Sequence, residues 1–87
     1  MPEERDIVLI VDDDEDVRKM LYKVIRSNGI DADTAESGEE ALRKTETSRY
    51  DLILLDVNMG GMDGFEVVET LRRRGLQTPV IIVSGRK

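Results

Sequence analysis

The sequence predicts an α/β domain built on an open parallel sheet, and three observations support this fold class. Short apolar segments rich in β-branched residues alternate with segments whose apolar residues recur at helical spacing, in the order β-α-β-α-β-α-β. The most apolar segments contain no polar residue, as is typical of parallel strands covered on both faces. Several segments also end in acidic or hydroxyl side chains, at the edge of a parallel sheet where ligands usually bind.

Length and composition limit the range of functions. We expect residues 1–87 to form one domain, with an aliphatic core because the chain has no tryptophan, two tyrosines and one phenylalanine. A net charge of −6 argues against direct binding of a nucleic-acid backbone. The basic run Arg72-Arg73-Arg74 is explained by a predicted helix end, where cations complement the helix dipole.

The absence of cysteine and histidine restricts the chemistry further. It excludes disulfides, thiolate or imidazole metal sites, and Ser-His or Cys-His nucleophile pairs. Oxygen ligands remain, and these suit hard cations such as Mg2+ or Ca2+. No apolar segment approaches membrane-spanning length, and the first six residues are too polar for a secretory signal, so we expect a cytoplasmic protein without a membrane partner.

The first strand and helix are predicted from residues 7–28. Residues 7–11 (IVLIV) read as a buried strand that runs into the acidic segment DDDED. Asp13 or Asp14 can cap the following helix, and Asn28-Gly29 can end it. The apolar positions that share one face of this helix are Val17, Met20, Leu21, Val24 and Ile25.

The remaining elements follow in the same alternation. Residues 30–35 (IDADTA) alternate apolar and polar side chains and predict a half-exposed edge strand. Ser37 and Glu40 have the spacing of a capping box that opens a second helix. Residues 52–56 predict a third, buried strand.

A third helix and a fourth strand complete the predicted elements. The helix is expected over about residues 64–74, with Phe65, Val68 and Leu71 pointing inward and Gly75 as its stop. Residues 80–83 predict a fourth strand, as apolar as a central one. Because no further helix follows to cover it, we expect either that the chain is a fragment or that a partner chain covers this strand.

Polar side chains at three strand ends predict a single pocket. The first, third and fourth strands end in Asp12-Asp13, Asp56 and Ser84 respectively. An aspartate after a strand is often only a turn former, but a second acidic cluster at a neighbouring strand end makes a site the better interpretation of Asp56. Carboxylates brought together raise one another's pKa unless a cation neutralises them, which predicts a divalent metal such as Mg2+. Asp56 could then attack a phosphoryl group, and Ser84 could hydrogen-bond one of its oxygens.

Other carboxylate motifs fit less well. An EF-hand loop begun at Asp12 would have Val17 where glycine is required and Lys23 where the bidentate glutamate belongs. A haloacid-dehalogenase-type phosphatase has strand-borne aspartates two apart, as Asp12 and Asp14 are, but requires Thr or Val where this chain has Asp16. No Walker loop or GxGxxG pattern supports nucleotide binding.

Three segments, IVLIVDDDEDVR, DLILLDVNMGGMDG and TPVIIVSG, resemble the receiver domain of two-component response regulators, in order and spacing. The resemblance covers nearly the whole chain. It implies a flavodoxin-like, doubly wound (β/α) fold with helices on both faces and strand order 2-1-3-4, the fifth βα unit of the family being absent from this sequence.

The resemblance also implies roles for individual residues. Asp56 matches the phospho-accepting aspartate, and Asp12 and Asp13 match the acidic pair, Asp13 ligating Mg2+ directly and Asp12 largely through water. Asn58 matches the position whose backbone carbonyl is a further metal ligand, and Ser84 matches the switch residue. Met59 matches a residue that flanks the pocket, while Asp14 is interpreted as a helix cap.

Two departures from the family pattern bear on function. Gly60 stands where the family usually has proline, which should loosen the loop while leaving the ligands in place. The family's lysine after strand five and its aromatic switch residue have no counterpart, and Lys87 follows Ser84 too closely to replace that lysine. Phosphorylation could therefore be impaired in this piece, because a cationic group in such a clamp contributes about 3 kcal/mol.

The resulting functional hypothesis is a receiver domain and not an enzyme. It would accept a phosphoryl group on Asp56 from a histidine kinase or phosphotransfer protein, and would signal near Ser84. An output domain beyond Lys87 is a further expected partner. The alternatives are a pseudo-receiver or dimerisation module that is never phosphorylated, and a metal-dependent phosphatase, against which the lack of a separate general acid argues. The exposed fourth strand also predicts association, including a homodimer.

Overall fold

The computed structural model describes residues 6–83, in which four strands and three helices alternate along the chain. Their bounds are β1 (Ile7–Val11), α1 (Glu15–Ser27), β2 (Asp31–Ala35), α2 (Gly38–Thr47), β3 (Leu52–Asp56), α3 (Gly64–Arg73) and β4 (Val80–Val83). The strands form one sheet in the order β2-β1-β3-β4, and every neighbouring pair is parallel. The predicted fold class and strand order are confirmed.

The strand register brings the carboxyl ends of β1 and β3 side by side. Val11, the last residue of β1, pairs with Leu55 of β3 on one side and with Ala35 of β2 on the other. The next residue of β3, Asp56, pairs with Val83 of β4. Since all four strands run in one direction, the acidic residues that follow β1 lie at the same edge as Asp56.

The residues that cap the helices lie largely where the sequence predicts them. Asp14 caps α1 by accepting hydrogen bonds from the backbone N–H groups of Asp16 and Val17, and Gly29 follows the helix with a φ of 80°. Ser37 Oγ accepts from Glu40 N–H, at 3.1 Å, as the first half of the predicted capping box. The second half is wrong, because Glu40 Oε1 instead accepts from the N–H of Glu36, at 2.8 Å.

The core lies between the sheet and the helices α2 and α3. Its largest fully buried members include Leu9 and Val11 of β1, Ile53 and Leu55 of β3, and Val67 and Leu71 of α3. As expected it is aliphatic, apart from the buried Tyr50. On the opposite face, α1 packs on β1 and β2, so helices cover both faces as predicted.

The predicted inward face of α3 is wrong at one position. Phe65 is 66% exposed, and Val67 is fully buried in its place. The reason is that Gly64 packs tightly against the backbone after β3, which turns the face containing Gly64, Val67 and Leu71 toward the sheet.

Apolar side chains stay exposed on α1 and β4 within residues 6–83. The exposed fraction is 54% for Met20 and 51% for Val24 on α1, and 50% for Ile81 and 40% for Ile82 on β4. β4 forms an edge of the described sheet, and the exposure of Ile81 and Ile82 agrees with the expectation that this strand is left uncovered. None of the described helices has the length and apolarity needed to cross a membrane.

Candidate metal-binding site

Three carboxylates meet at the carboxyl edge of the sheet, as the sequence predicts. Asp12, Asp13 and Asp56 each offer an oxygen, and these three oxygens lie within 4.8 Å of one another. They lie in a cleft of about 200 Å3, which the side chains of Asp14, Val17, Asn58 and Val83 also line. Within residues 6–83 this is the one group of three such ligands that is close enough to hold a metal ion.

Asp12 is the buried member of the group, with 6% of its surface exposed. Its Oδ1 accepts a hydrogen bond from the N–H of Asp14, at 2.9 Å. Burial raises the pKa of Asp12, the charges of Asp56, Asp13 and Asp14 raise it further, and only the Asp14 hydrogen bond opposes them. A buried carboxylate beside other carboxylates is the environment that a divalent cation stabilises, so the donor set fits a hard metal ion.

Asp13 links the two loops that form the cleft. Its side chain is exposed, and its Oδ2 accepts a hydrogen bond from the N–H of Gly60, at 3.2 Å, in the loop after β3. Proline, which the receiver family usually has at this position, has no N–H to donate. Glycine here therefore supplies a contact between the loops that sequence reasoning missed.

Asp56, at the end of β3, is held by the backbone that follows it. The N–H of Asn58 donates to Asp56 Oδ1, at 2.9 Å, whereas no residue in the described range hydrogen-bonds Oδ2. Gly64, at the start of α3, approaches this segment so closely that a Cβ there would lie 2.9 Å from Val57 Cα and 3.1 Å from the carbonyl oxygen of Asp56. Glycine thus lets α3 begin in close contact with the backbone of Asp56 and Val57.

The other predicted site residues have different outcomes. Ser84 lies outside the described residues. Met59 is buried in the core and does not line the cleft, while Asp14 caps α1 as interpreted. Sequence reasoning also missed Arg18, whose Nη1 donates to the backbone carbonyl of Asp12, at 2.9 Å. No local sequence pattern indicates this contact, because it depends on how α1 approaches the segment after β1.

A larger groove, of about 910 Å3, lies elsewhere, between α1 and β2. Its lining includes the exposed side chains of Glu15, Lys19 and Tyr22. It does not contain the carboxylate cluster, which lies in the smaller cleft.

The fold and the cleft define an open α/β domain with a cluster of three carboxylates at its carboxyl edge. The model of the response regulator receiver domain family matches residues 8–87. This chain belongs to that family.

Curated relatives of this chain are regulatory proteins. The alkaline phosphatase synthesis transcriptional regulatory protein PhoP of Bacillus subtilis is 40% identical over 79 residues, which cover 91% of this chain and 33% of PhoP. The transcriptional regulatory protein PrrA of Mycobacterium tuberculosis is 44% identical over 79 residues, which cover 91% of this chain and 34% of PrrA. The chain thus spans about a third of the length of these relatives.

Solved structures show the same fold. The receiver domain of the Francisella response regulator 1452 superposes with a TM-score of 0.88 at 38% identity, over 92% of this chain and 66% of that one. The response regulator TrrA of Thermotoga maritima, solved in complex with Mg(2+)-BeF, gives a TM-score of 0.88 at 35% identity, over 94% of this chain and 71% of that one.

Proposed function

We propose that this chain is a phospho-accepting receiver domain, in which a phosphoryl group is transferred to Asp56 in the presence of Mg2+. The observation that carries the proposal is the approach of the Asp12, Asp13 and Asp56 carboxylate oxygens to within 4.8 Å of one another. The Mg(2+)-BeF complex of TrrA, a structural neighbour at 35% identity, supports the same choice of metal.

Each residue of the cleft then has a defined task. Asp13 and Asp56 would ligate Mg2+ through their side chains, Asn58 through its backbone carbonyl, and Asp12 largely through water. When bound, Mg2+ neutralises negative charge on the phosphoryl oxygens. The N–H of Asn58 holds Asp56 Oδ1, at 2.9 Å, so Oδ2 is the oxygen available as nucleophile.

The proposed step exchanges one bond to phosphorus for another. An oxygen of Asp56 forms the new O–P bond while the P–N bond of a phosphohistidine donor breaks, and the departing imidazole keeps the electron pair. The product is an aspartyl phosphate, and Ser84 would hydrogen-bond one of its oxygens as the switch residue. The domain is therefore an acceptor that changes state and not an enzyme acting on many substrates.

The partners follow from this role. The donor would be a sensor histidine kinase or a phosphotransfer protein in the cytoplasm. We propose no direct binding of the domain to nucleic acid or to a membrane. PhoP and PrrA are named transcriptional regulators, and this chain spans about a third of their length. An output domain beyond Lys87 in the whole protein would read the phosphorylated state.

Intact-mass spectrometry with a small phosphodonor tests the proposal. The chain is incubated with acetyl phosphate and Mg2+, beside an Asp56→Asn variant and a sample containing a chelator. We expect one phosphoryl adduct on the unmodified chain, and none on Asp56→Asn or without Mg2+. Equal adduct formation by Asp56→Asn would contradict the assignment of the acceptor.

A second function, an unphosphorylated dimerisation module, is favoured by one observation. Ile81 and Ile82 are exposed on β4, an edge strand of the described sheet, where apolar side chains and unpaired backbone groups promote association. Sedimentation velocity of the unmodified chain and of Ile81→Lys tests it. A dimer that Ile81→Lys abolishes, combined with no phosphoryl adduct, would establish this second function in place of the first.

A further inference from the structure

We infer that Arg18 is a positioning residue for the metal cleft, which holds the backbone carbonyl of Asp12 and so fixes the direction in which Asp12 and Asp13 enter the cleft. Because Mg2+ binding by these aspartates is part of the proposed function, the consequence for metal affinity rests on that function. The contact itself is a feature of the structure. It joins α1 to the loop that follows β1.

The contact is specific for one acceptor. Nη1 of Arg18 donates to the carbonyl oxygen of Asp12 at 2.9 Å, across six residues of sequence. Arg18 is half-buried, and its guanidinium forms no ion pair with any carboxylate in the described range. A charged donor makes a stronger hydrogen bond than a neutral one, and partial burial protects it from competition by water.

The bond completes the fixation of the first residue after β1. The N–H of Asp12 donates to the carbonyl of Ala35 in β2, at 3.1 Å, so the strand ladder holds this side of the residue. Arg18 holds the carbonyl group of Asp12, which lies beyond the end of the strand pairing. The Asp12 carbonyl and the Asp13 N–H belong to one planar peptide, so fixing the carbonyl also fixes the start of Asp13. From there, Asp13 Oδ2 reaches the Gly60 N–H, at 3.2 Å.

The acceptor of the Arg18 hydrogen bond shows that Arg18 positions Asp12 and does not neutralise its carboxylate. The hydrogen bond of Arg18 goes to a carbonyl and not to a carboxylate, so the carboxylate oxygens of the cleft stay available to a cation. Residues that orient metal ligands without touching the metal commonly change metal affinity by about tenfold to a hundredfold when they are removed. A purely structural arginine would instead change the stability of α1 and leave the Mg2+ affinity as it was.

The experiment compares matched substitutions by two-dimensional 1H–15N NMR. Arg18→Met keeps the aliphatic stem and removes the donors, whereas Arg18→Lys keeps a charged donor. Lys19→Met makes the same change in net charge at the neighbouring position, where the side chain is 70% exposed and pairs with Glu15. Spectra are recorded first without metal and then during a titration with MgCl2.

We expect two results. Without metal, Arg18→Met shifts the amide resonances of Asp13 and Gly60, while Lys19→Met leaves them in place. In the titration, Arg18→Met raises the Kd for Mg2+ by about tenfold, Lys19→Met changes it by less than about twofold, and Arg18→Lys restores part of the affinity. If Arg18→Met does not fold, Arg18→Gln, which is too short to keep the contact, replaces it with the same expectations.

The two arms separate failure of the inference from failure of the proposed function. Wild-type affinity in a folded Arg18→Met, or amide shifts confined to α1, would overturn the positioning role while leaving the proposed function intact. A wild-type chain that does not bind Mg2+ would overturn the proposed function. In that case the metal-free amide shifts of Asp13 and Gly60 still decide whether Arg18 positions the loop.

Discussion

At the scale of single residues, the cleft is built at a cost to stability. Burial and the charges of Asp56, Asp13 and Asp14 raise the pKa of Asp12 above 3.8, the value for an unperturbed aspartate. Because the pKa of Asp12 is raised in the folded state, its contribution to stability comes from the protonated form. This contribution is fully present below the unfolded pKa and is lost as pH rises through the folded pKa. At neutral pH, ionised Asp12 therefore destabilises the metal-free fold.

Asp12→Asn should stabilise the chain in the absence of metal. Asparagine keeps an oxygen for the Asp14 N–H and carries no charge, so we expect the free energy of unfolding at pH 7 to rise by about 1 kcal/mol. The gain should disappear below about pH 4, where Asp12 is protonated in both states. Urea denaturation in a chelator at pH 7 and pH 3.5 measures both values. Glu69→Gln, which removes one exposed charge, is the control, and an equal gain there would contradict the explanation.

A second polar cluster fixes the opposite end of the core. Tyr50, which is 6% exposed, donates from its hydroxyl to Asp33 Oδ2 at 2.7 Å, and Lys44 Nζ donates to Asp33 Oδ1 at 3.1 Å. Burial, together with the bond to Asp33, raises the pKa of Tyr50 to about 12. Burial opposes ionisation of Asp33, but hydrogen bonds from Tyr50, Lys44 and the Thr34 N–H outweigh it and lower the pKa of Asp33. The cluster ties β2, α2 and the start of β3 together.

Tyr50→Phe should destabilise the fold by about 1.5 kcal/mol at pH 7, since it removes a hydrogen bond to a charged, partly buried acceptor. Because the pKa of Asp33 is lowered in the folded state, ionised Asp33 stabilises the fold at pH values above its unfolded pKa. This stabilisation is lost as pH falls through the folded pKa. The difference between the two proteins should therefore shrink in acid. Urea denaturation across pH 3 to 7 tests this. Tyr22→Phe, on an exposed tyrosine whose hydroxyl accepts from Arg26 Nη1, should have almost no effect.

Residue identities could be predicted from sequence better than their contacts. The acids that close the cleft follow apolar strands, a pattern visible in the chain, and the structure brings Asp12, Asp13 and Asp56 together. The hydrogen bonds from Arg18 to Asp12 and from Gly60 to Asp13 were missed. They depend on how a helix and a loop approach β1, which no local pattern records.

At the scale of elements, the strands could be predicted better than the buried face of α3. The strands and their order follow from hydrophobic runs and the parallel α/β pattern. The face of α3 does not, because Phe65, Val67 and Val68 are all apolar and periodicity alone cannot choose among them. The close approach of Gly64 to the Asp56–Val57 backbone makes the choice.

Gly64→Ala tests this role of close packing. The added Cβ would lie 2.9 Å from Val57 Cα, a backbone atom that cannot rotate away, so we expect a loss of about 2 kcal/mol in the free energy of unfolding. Gly60→Ala is the matched control, because no atom lies within 4 Å of the Cβ position there. Urea denaturation of both variants gives the comparison. A Gly64→Ala protein as stable as Gly60→Ala would show that α3 shifts freely.

At the scale of the whole molecule, a chain with a net charge of −6 gathers three of its carboxylates in one cleft. Mutual repulsion makes that arrangement unfavourable without a cation, so ligand binding and folding stability are coupled. Family and architecture could be predicted because the motifs and the alternation of elements agree. The composition of β4 alone is that of a buried strand, and its exposure is predicted only when the elements beside it are considered, since burial depends on those neighbours.

Mg2+ should raise the thermal unfolding midpoint of the chain. Binding to the folded state alone adds about 2.7 kcal/mol at a Mg2+ concentration one hundred times Kd. Asp13→Asn, which removes one charge of the carboxylate cluster at an exposed position, should abolish most of this gain. Thermal unfolding followed by circular dichroism measures it, with NaCl at equal ionic strength as the control. Equal stabilisation by NaCl would show that screening of the net charge, and not a metal site, is responsible.

The measurement that tests the central claim most directly is the location of the phosphoryl group. After reaction with acetyl phosphate and Mg2+, borohydride converts an aspartyl phosphate to homoserine, and peptide mass spectrometry identifies the converted residue. We predict conversion at Asp56 and at no other aspartate, with none when Mg2+ is omitted. Conversion at Asp12 or Asp13 with Asp56 unchanged would contradict the claim that the end of β3 is the acceptor.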